Sequence, residues 1–309
     1  MTTTIPPVTD MIIGLYGEIK SSKSTFGLEF PDPVIIFDID QGFDRAIGRV
    51  LAKNPDLTVC KVPSSVDLLG PDSQINAEYR ANIICRELIE PFVVPGQRLT
   101  GYDSLWQRTR REVLQSYNTE WVKSVSIDTG TLLWKIAHTA KLERVRQRAP
   151  NRERLIEIEY AEPNDEMREI LLGARRSHKN LVMIHHTGPA YGPGYETIQK
   201  GKQTVREFNP NMLIGETWAG FRHMGKIADI IVRTTIEIEC PECKVTFVDN
   251  FPNREKHGPH NVPASSDATQ IPCLSFEFCG FSLKANGVKL QNPSFDMVLN
   301  MVNAMRQQI

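Results

Sequence analysis

The chain has 309 residues, of which 40% are hydrophobic and 24% are charged, and its formal net charge is −1. These values exclude a disordered chain and fit one elaborated α/β domain plus an appendage. They also exclude a general attraction to nucleic acid, so any such binding must come from a local patch. No apolar run approaches membrane-spanning length and no export signal opens the sequence, which predicts a cytoplasmic protein.

The first predicted element is a short apolar strand that leads into a phosphate-binding loop. Residues 11–25 read MIIGLYGEIKSSKST, which nearly matches the pattern G-x-x-x-x-G-K-[ST]. In such a loop, backbone N–H groups hold phosphate oxygens, the lysine neutralises the β- and γ-phosphates, and the hydroxyl residue holds Mg²⁺. The one departure is Ser22 in place of the second glycine, which costs about 1 kcal/mol if the position needs a positive φ. The predicted phosphate contacts are Gly17, Ser21, Ser22, Lys23, Ser24 and Thr25.

The second predicted strand ends in two acids. Residues 34–40 read VIIFDID, and a helix is predicted to follow over 44–52. This strand–loop–helix–strand beginning predicts a mostly parallel sheet with helices on both faces. Alternation places Asp38 and Asp40 on the same face, so both could enter a crevice, or one could cap the next turn. Asp40 is the residue that we predict to orient or deprotonate an attacking water.

Residues 54–120 are predicted to be an insertion, because the distance in sequence from Lys23 to Asp128 is unusually long for this pattern. Residues 57–62 indicate a short strand, residues 77–88 have helical spacing, and residues 102–117 indicate an arginine-rich helix.

Two further strands are predicted to bring polar residues to the same edge of the sheet, where ligands of open parallel sheets bind. Residues 122–129 are predicted to form a strand with Asp128 at its C-terminal end, which we expect to hold Mg²⁺ opposite Ser24; the alternative is a solvated acid. Residues 181–186 end in His185 and His186. One of these, with His186 favoured, is expected to contact the γ-phosphate; the alternative is a hydrogen-bonded histidine at a sheet end.

Residues 188–211 are rich in glycine and proline and then basic, which indicates a mobile functional loop. Its aromatic side chains could stack on bases and its cations could bind phosphates, as in sites for single-stranded nucleic acid. The alternative is an ordinary solvated loop. The predicted DNA-binding residues are Tyr191, Tyr195, Lys200, Lys202 and Arg206.

The last part of the chain carries four of the six cysteines, and residues 239–309 are predicted to form a small β-rich appendage that ends in a helix over 294–308. Cys240 and Cys243 have the spacing of a zinc knuckle. Cys273 and Cys279 would complete a Zn²⁺ site of four cysteines if both lay on a hairpin. The alternative is that these cysteines belong to a small β core.

The order of these parts resembles the RecA-like branch of P-loop ATPases, over residues 11–238. The resemblance rests on SSKST in the loop, on IIFDID with a catalytic acid, on Asp128 followed by a hydroxyl residue, and on the polar end of the strand before residues 188–211. It implies a RecA-like α/β sandwich with a mostly parallel central sheet, and a core of residues 1–238. The segment FDIDQGFDR is also similar to phage-encoded RecA-like proteins that support single-strand annealing or recombination, which would place the protein in the host cytoplasm.

The resemblance implies that the protein binds and hydrolyses ATP with Mg²⁺ and that this activity is coupled to binding of single-stranded DNA. It also implies a ring or filament of identical chains, or a replication or recombination partner. In such assemblies a basic residue reaches the neighbouring subunit's ATP, and here that residue would be Arg222, Lys226 or Arg233. Two alternatives stay open: a nucleotide-gated interaction module with little or no hydrolysis, and a small-molecule kinase.

Overall fold

The computed structural model describes residues 9–17, 22–93, 98–200, 203–221, 223–239, 246–248, 270–280 and 285–306. Within these ranges the chain forms one large sheet with helices on both faces. The strands are β1 (Ile12–Gly17), β2 (Val34–Asp38), β3 (Val59–Val62), β4 (Ile83–Glu87), β5 (Ser124–Asp128), β6 (Asn180–Lys200), β7 (Gln203–Trp218), β8 (Ile230–Glu239), β9 (Thr246–Val248), β10 (Gln270–Cys279) and β11 (Lys289–Gln291). The α-helices are α1 (Lys23–Leu28), α2 (Phe43–Lys53), α3 (Tyr102–Asn118), α4 (Gly130–Arg148), α5 (Ala161–Arg176), α6 (Met224–Ile227) and α7 (Phe295–Arg306).

The sheet order is β11-β10-β8-β1-β6-β5-β2-β4-β3, and the seven strands from β8 to β3 run parallel. β1 and β2 follow each other in the chain but are separated in the sheet by β6 and β5. This order, with a phosphate-loop sequence after β1, is that of a RecA-like α/β sandwich and confirms the predicted fold class.

The core lies on both faces of the sheet, because the central strands alternate which side chains they send to each face. On β1, Ile12 and Tyr16 pack with α3, α4 and α5, whereas Ile13 and Leu15 pack with α1 and α7. A smaller cluster packs α2 against the α1 face of β2. Because the central strands are covered on both sides, their sequences read as continuous apolar runs.

Residues 54–120 extend the sheet and then cover it. β4 pairs with β2 and β3 pairs with β4, both in parallel. The predicted helix over 77–88 is wrong: a short 3₁₀ turn, Ala77–Tyr79, is followed by the strand β4. Its buried residues Ile83 and Ile84 are a short apolar run, and periodicity alone does not separate such a run from a buried helix.

A buried ion pair joins β4 to α3. Nε and Nη2 of Arg86 donate to the two carboxylate oxygens of Glu112 at 2.8 and 2.6 Å, and both side chains are fully buried. Nη1 of Arg86 donates to the Pro63 carbonyl at 2.6 Å. This pair fixes α3 on the extended edge of the sheet.

The predicted loop over 188–211 is instead part of a long β-hairpin. β6 continues past His186 and pairs antiparallel with β7, from Thr187 opposite Trp218 to Lys200 opposite Gln203. Gly188 and Pro189 pair in regular register, and Gly192 and Gly194 lie at a register shift rather than at a break in the strands. The loop prediction was therefore wrong about secondary structure.

The described residues after 239 extend the same sheet. β10 pairs antiparallel with β8, and β11 pairs with β10. The helix α7 packs on the core through Phe295, whose ring centroid lies 4.6 Å from that of Phe30. The division of the chain into a core and an appendage at residue 239 stays a prediction. Among the described helices, none combines the length and the apolar character needed to cross a bilayer.

Candidate functional site

Three parallel strands, β1, β2 and β5, end at one edge of the sheet, and together with the point where β6 leaves the parallel sheet they surround a cavity of about 130 Å³. α2 forms its opposite wall. The residues that line it are Ser22, Lys23, Ser24, Thr25, Asp40, Gly42, Arg45, Ala46, Arg49, Asp128, Thr129 and His186. The structure thus brings together at one place the residues predicted from four separate segments of the sequence.

Ser22 adopts the left-handed backbone conformation that the glycine of the motif normally provides, with φ 64° and ψ 20°. A side chain in this region costs about 1–2 kcal/mol. Its hydroxyl accepts a hydrogen bond from Nη1 of Arg49 at 2.9 Å, a contact that glycine could not make. The loop therefore keeps the expected turn despite the substitution. Ser21 lies outside the described residues.

Lys23 begins α1 and reaches back over the loop. Its Nζ donates a hydrogen bond to the carbonyl of Gly17 at 2.7 Å, which ties the two ends of the loop together. The flexible side chain can turn from that carbonyl to a phosphate oxygen without moving the backbone, because its ammonium carries three donors on a four-carbon stem. Thr25, the last residue of the predicted loop, lines the cavity but is mostly buried.

Ser24 and Asp128 meet at the base of the cavity. The Ser24 hydroxyl donates to Oδ2 of Asp128, which is almost completely buried. Burial raises the pKa of Asp128 to about 6, while the hydrogen bond from Ser24 opposes the shift. Mg²⁺ is usually held by one or two protein oxygens together with substrate phosphates and water, and this hydroxyl and carboxylate have the required chemistry.

The two acids after β2 have different environments. Asp38 is buried, and its carboxylate accepts hydrogen bonds from the backbone N–H groups of Gly42 and Phe43 at 3.1 and 3.3 Å. Burial raises its pKa, and these two bonds lower it in part. Asp38 therefore caps the start of α2, which was one of the two alternatives. Asp40 instead faces the cavity with a half-exposed side chain.

The two histidines of β6 also point to different places. His186 lines the cavity, and its Nε2 lies 3.8 Å from Oδ2 of Asp40. His185 is fully buried, and its Nδ1 lies 3.1 Å from the carbonyl of Ala219. Burial lowers the pKa of His185 to about 4, so its ring is neutral and Nδ1 donates to that carbonyl. Of the two, only His186 is placed to meet a ligand.

His186 of β6 is connected to the base of the hairpin through Thr131, at the start of α4. Its Oγ1 accepts from the backbone N–H of His186 at 3.0 Å and donates to the carbonyl of Ala219 at 2.9 Å. The N–H of Ala219 in turn donates to the carbonyl of His186 at 2.8 Å. A displacement of His186 by a ligand would therefore reach both strands of the hairpin.

Two arginines of the cavity wall, Arg45 and Arg49 of α2, were not predicted from the sequence. They are four residues apart and so share one face of the helix. The motif RAIGR, directly after the acids of β2, was a partial signal, because it places two cations on one face of a helix, whereas the direction of that face is set by the packing of α2.

Four of the five predicted DNA-binding residues are among the described residues, and all four lie on the β6–β7 hairpin. Tyr191, Tyr195 and Lys200 belong to β6 and Arg206 belongs to β7, whereas Lys202 lies outside the described residues. Their role in DNA binding stays a prediction.

The predicted zinc site of four cysteines does not form as expected. Cys273 and Cys279 are both on β10 rather than on the two strands of a hairpin, which separates them by about 20 Å at 3.3 Å per residue. Both are buried, and the thiol of Cys273 donates to Glu237 at 3.5 Å. Cys240 and Cys243 lie outside the described residues. Among the described residues, no three His, Cys, Asp or Glu side chains form a cluster that could hold a metal.

Comparison with known proteins gives a limited result. No family profile matches the chain, and no curated protein matches it. Among solved structures, it is similar to a KaiC-like protein from the hyperthermophilic archaeon Pyrococcus horikoshii OT3, at 9% sequence identity over 92% of this chain and 89% of that chain, with a TM-score of 0.33. At these values the likeness carries no argument about function, which must rest on the geometry of the site.

Proposed function

We propose that this protein binds ATP with Mg²⁺ and hydrolyses it, and that single-stranded DNA held by the β6–β7 hairpin stimulates hydrolysis. The observation that carries the first part is the convergence of Lys23, Ser24, Asp40, Asp128 and His186 on one cavity at the carboxyl edge of a parallel sheet. These are the charges and hydroxyls that phosphoryl transfer requires, since such catalysis consists mainly of positioning and charge neutralisation.

The triphosphate would lie along the loop from Ser22 to Thr25. Nζ of Lys23 would give up its hydrogen bond to the Gly17 carbonyl and bind the β- and γ-phosphates instead. Ser24 and Asp128 would hold Mg²⁺, which neutralises phosphate charge when bound. Water attacks the γ-phosphorus, the bond to the β-phosphate oxygen breaks, and ADP and inorganic phosphate form. Asp40 orients that water and accepts its proton, and His186 contacts the γ-phosphate from the other side of the cavity.

A second cavity, of about 320 Å³, supports a whole nucleotide as the ligand. It shares Ser22, Thr25 and Arg49 with the first cavity, so the two are adjacent along the loop. Its other walls come from α1, β8 and β10 and include Phe26, Ile236 and Leu274. Apolar walls next to a phosphate site suit a planar base, which would enter this cavity while the phosphates occupy the first.

The DNA part of the proposal rests on sequence and connectivity. The hairpin carries tyrosines and cations in its sequence and begins directly after His186, whose backbone is bonded through Thr131 to the returning strand. Loss of the γ-phosphate would change the position of His186 and, through this contact, the base of the hairpin. Conversely, DNA on the hairpin would stabilise one position of His186, because coupling between two sites is reciprocal.

The test is the ATPase rate with and without single-stranded DNA over a range of salt concentrations. The proposal predicts stimulation that fades as salt rises, because DNA binding releases counterions. Lys23→Ala should abolish turnover, and Lys123→Ala, an exposed lysine away from the cavity, should not. Turnover without stimulation at any salt concentration would contradict the DNA part alone.

A second candidate is the nucleotide-gated interaction module, and the strained Ser22 favours it. In that case ATP binding controls assembly with another protein. The wild-type protein would bind ATP with almost no turnover, so Lys23→Ala would abolish binding but would have almost no turnover to abolish. The kinase alternative loses support. A kinase would need a lid with arginines, and two arginines of the basic helices α3 and α4 are instead held in ion pairs with α5: Arg144 with Glu162 at 2.8 Å and Arg110 with Glu166 at 3.7 Å.

A further inference from the structure

α2 lies across the mouth of the phosphate loop. Its first turn is close to the base of the cavity, since a Cβ on Gly42 would lie 3.6 Å from Oγ of Ser24 and 3.8 Å from Oδ2 of Asp128. Gly42, Arg45, Ala46 and Arg49 follow the spacing i, i+3, i+4, i+7 and line the cavity together. One face of α2 therefore runs from the metal end of the site to the phosphate loop.

The two arginines on this face differ in what they contact. Nη1 of Arg49 donates to Oγ of Ser22 at 2.9 Å, which holds the guanidinium at the phosphate loop. Arg45 lies one turn nearer to the base of the cavity, and among the described residues it has neither a hydrogen bond nor an ion-pair partner. An exposed arginine that lines a phosphate-sized cavity and has no partner is free to bind a ligand anion.

The charges that line the cavity also favour binding of an anion by Arg45. With Arg45 and Arg49, three cations face the two carboxylates of Asp40 and Asp128; without them, Lys23 alone would face both. Metal-bound ATP still carries a net negative charge, and guanidinium groups bind phosphate oxygens with two parallel hydrogen bonds. The two arginines thus turn a cavity that would repel the substrate into one that attracts it.

We propose that Arg45 is the arginine that stabilises the transferring phosphoryl group and that it acts within its own chain, with Arg49 as a ground-state phosphate contact positioned by Ser22. This inference rests on the proposed ATPase function. It makes hydrolysis independent of a basic residue from a neighbouring subunit, the role that Arg222, Lys226 or Arg233 would otherwise have.

The two residues should affect different kinetic constants. An arginine that acts on the transition state contributes about 10³–10⁵-fold to turnover, so Arg45→Ala should lower kcat by at least about 100-fold with nucleotide affinity within about threefold. Arg49→Ala should instead raise KM about tenfold with a smaller effect on kcat, because it removes binding that is equal in the ground and transition states. Arg111→Ala, an exposed arginine of α3 with no partner among the described residues, is the matched control and should change neither.

A mixing experiment separates action within the chain from action on a neighbour. Lys23→Ala protein cannot use its own site but retains Arg45, so we would mix it in excess with Arg45→Ala protein and measure ATPase activity. The proposal predicts no recovery. Recovery to a substantial fraction of the wild-type rate would show that the arginine acts on a neighbouring subunit and would overturn it.

Two other outcomes would also overturn the proposal. If the kcat of Arg45→Ala is within about threefold of the wild-type value, Arg45 does not stabilise the transition state, although the protein can still be an ATPase. Wild-type protein that binds nucleotide without turnover, or that binds none, would contradict the proposed function itself and the role of Arg45 with it.

Discussion

Oδ2 of Asp40 lies 3.8 Å from Nε2 of His186, so the segment after β2 and the middle of β6 meet across the cavity. The backbone holds Asp40 there, because the N–H groups of Ile39 and Asp40 both donate to the carbonyl of Asp128, at 2.6 and 3.2 Å. The carboxylate assigned to the water and the one assigned to the metal are thus fixed relative to each other by main-chain bonds. Such preorganisation is what electrostatic catalysis requires.

Asp40→Asn should lower kcat by about 10²–10⁴-fold with little change in nucleotide affinity, because it removes a proton acceptor from the reaction but not a phosphate contact. Steady-state kinetics and equilibrium nucleotide binding measure the two effects. Asp44→Asn, four residues further along the chain and paired with Lys61 on the surface, is the matched control and should leave kcat unchanged. Equal turnover by the two variants would show that Asp40 does not handle the water.

Asp128→Asn should stabilise the nucleotide-free protein at pH 7.5 while it abolishes Mg²⁺-dependent turnover. Burial raises the pKa of Asp128 to about 6 from about 3.9 in the unfolded chain. The folded state therefore binds this proton more tightly, and the stability it adds is present below about pH 4 and lost as pH rises through 6. At pH 7.5 the buried carboxylate costs roughly 1–3 kcal/mol, which the amide avoids.

Urea unfolding at pH 4 and pH 7.5 tests this: the advantage of Asp128→Asn should be large at the higher pH and small at the lower. Asp56→Asn, at an exposed position, should show no such dependence. An Asp128→Asn protein less stable than wild type at pH 7.5 would mean that the carboxylate is better solvated or paired than its burial indicates.

Ser22→Ala should be less stable than Ser22→Gly, by about 1 kcal/mol. Alanine keeps the left-handed strain and loses the hydrogen bond from Arg49, whereas glycine loses the bond but removes the strain. This reverses the usual order of the two residues, and urea midpoints of the two variants measure it. The opposite order would show that residue 22 is not left-handed in solution.

The buried pair on the extended edge should show strong coupling. Arg86→Met and Glu112→Leu should each cost about 3–5 kcal/mol, because each leaves one buried charge without its partner. The double variant should be much more stable than the sum of the two costs predicts, since it removes both charges. A double-mutant cycle by urea unfolding measures this, and additive costs would contradict the structure of the pair.

Thr131→Val should uncouple the hairpin from the site. Valine keeps the shape but cannot bond to the backbone of His186 and Ala219, so DNA stimulation should fall while the basal ATPase rate stays within about threefold of wild type. Thr139→Val, on the same helix and bonded only to the carbonyl of Lys135 among described residues, is the control. Undiminished stimulation in Thr131→Val would place the coupling elsewhere.

Much of the central sheet was predictable, because its strands are short apolar runs whose final residues are polar, as in 34–40 and 122–129. The loop after β1 was recognisable from spacing alone. The hairpin was not, because glycine and proline in 188–194 are turn signals in sequence, and only the pairing with β7 makes that segment extended.

The same distinction applies to the site. Asp128 was predictable from its position at the end of an apolar strand and His186 from its position after an apolar run, but the difference between Asp38 and Asp40 depends on which carboxylate the N-terminus of α2 captures. Whether Arg45 and Arg49 line the cavity depends on the direction in which α2 leaves the sheet. Whether Cys273 and Cys279 can share a metal site depends on whether the chain turns between them, and both residues lie on the single strand β10. Each of these outcomes is set by tertiary packing rather than by local pattern.

The proposed function requires that the cavity between the phosphate loop and α2 bind Mg²⁺–ATP, and isothermal titration calorimetry of ATP with and without Mg²⁺ measures this binding. Wild-type protein should bind one ATP per chain, more tightly with Mg²⁺, and Lys23→Ala should lose that binding while Lys123→Ala keeps it. Absence of binding by the folded wild type, or equal binding by Lys23→Ala, would contradict the account.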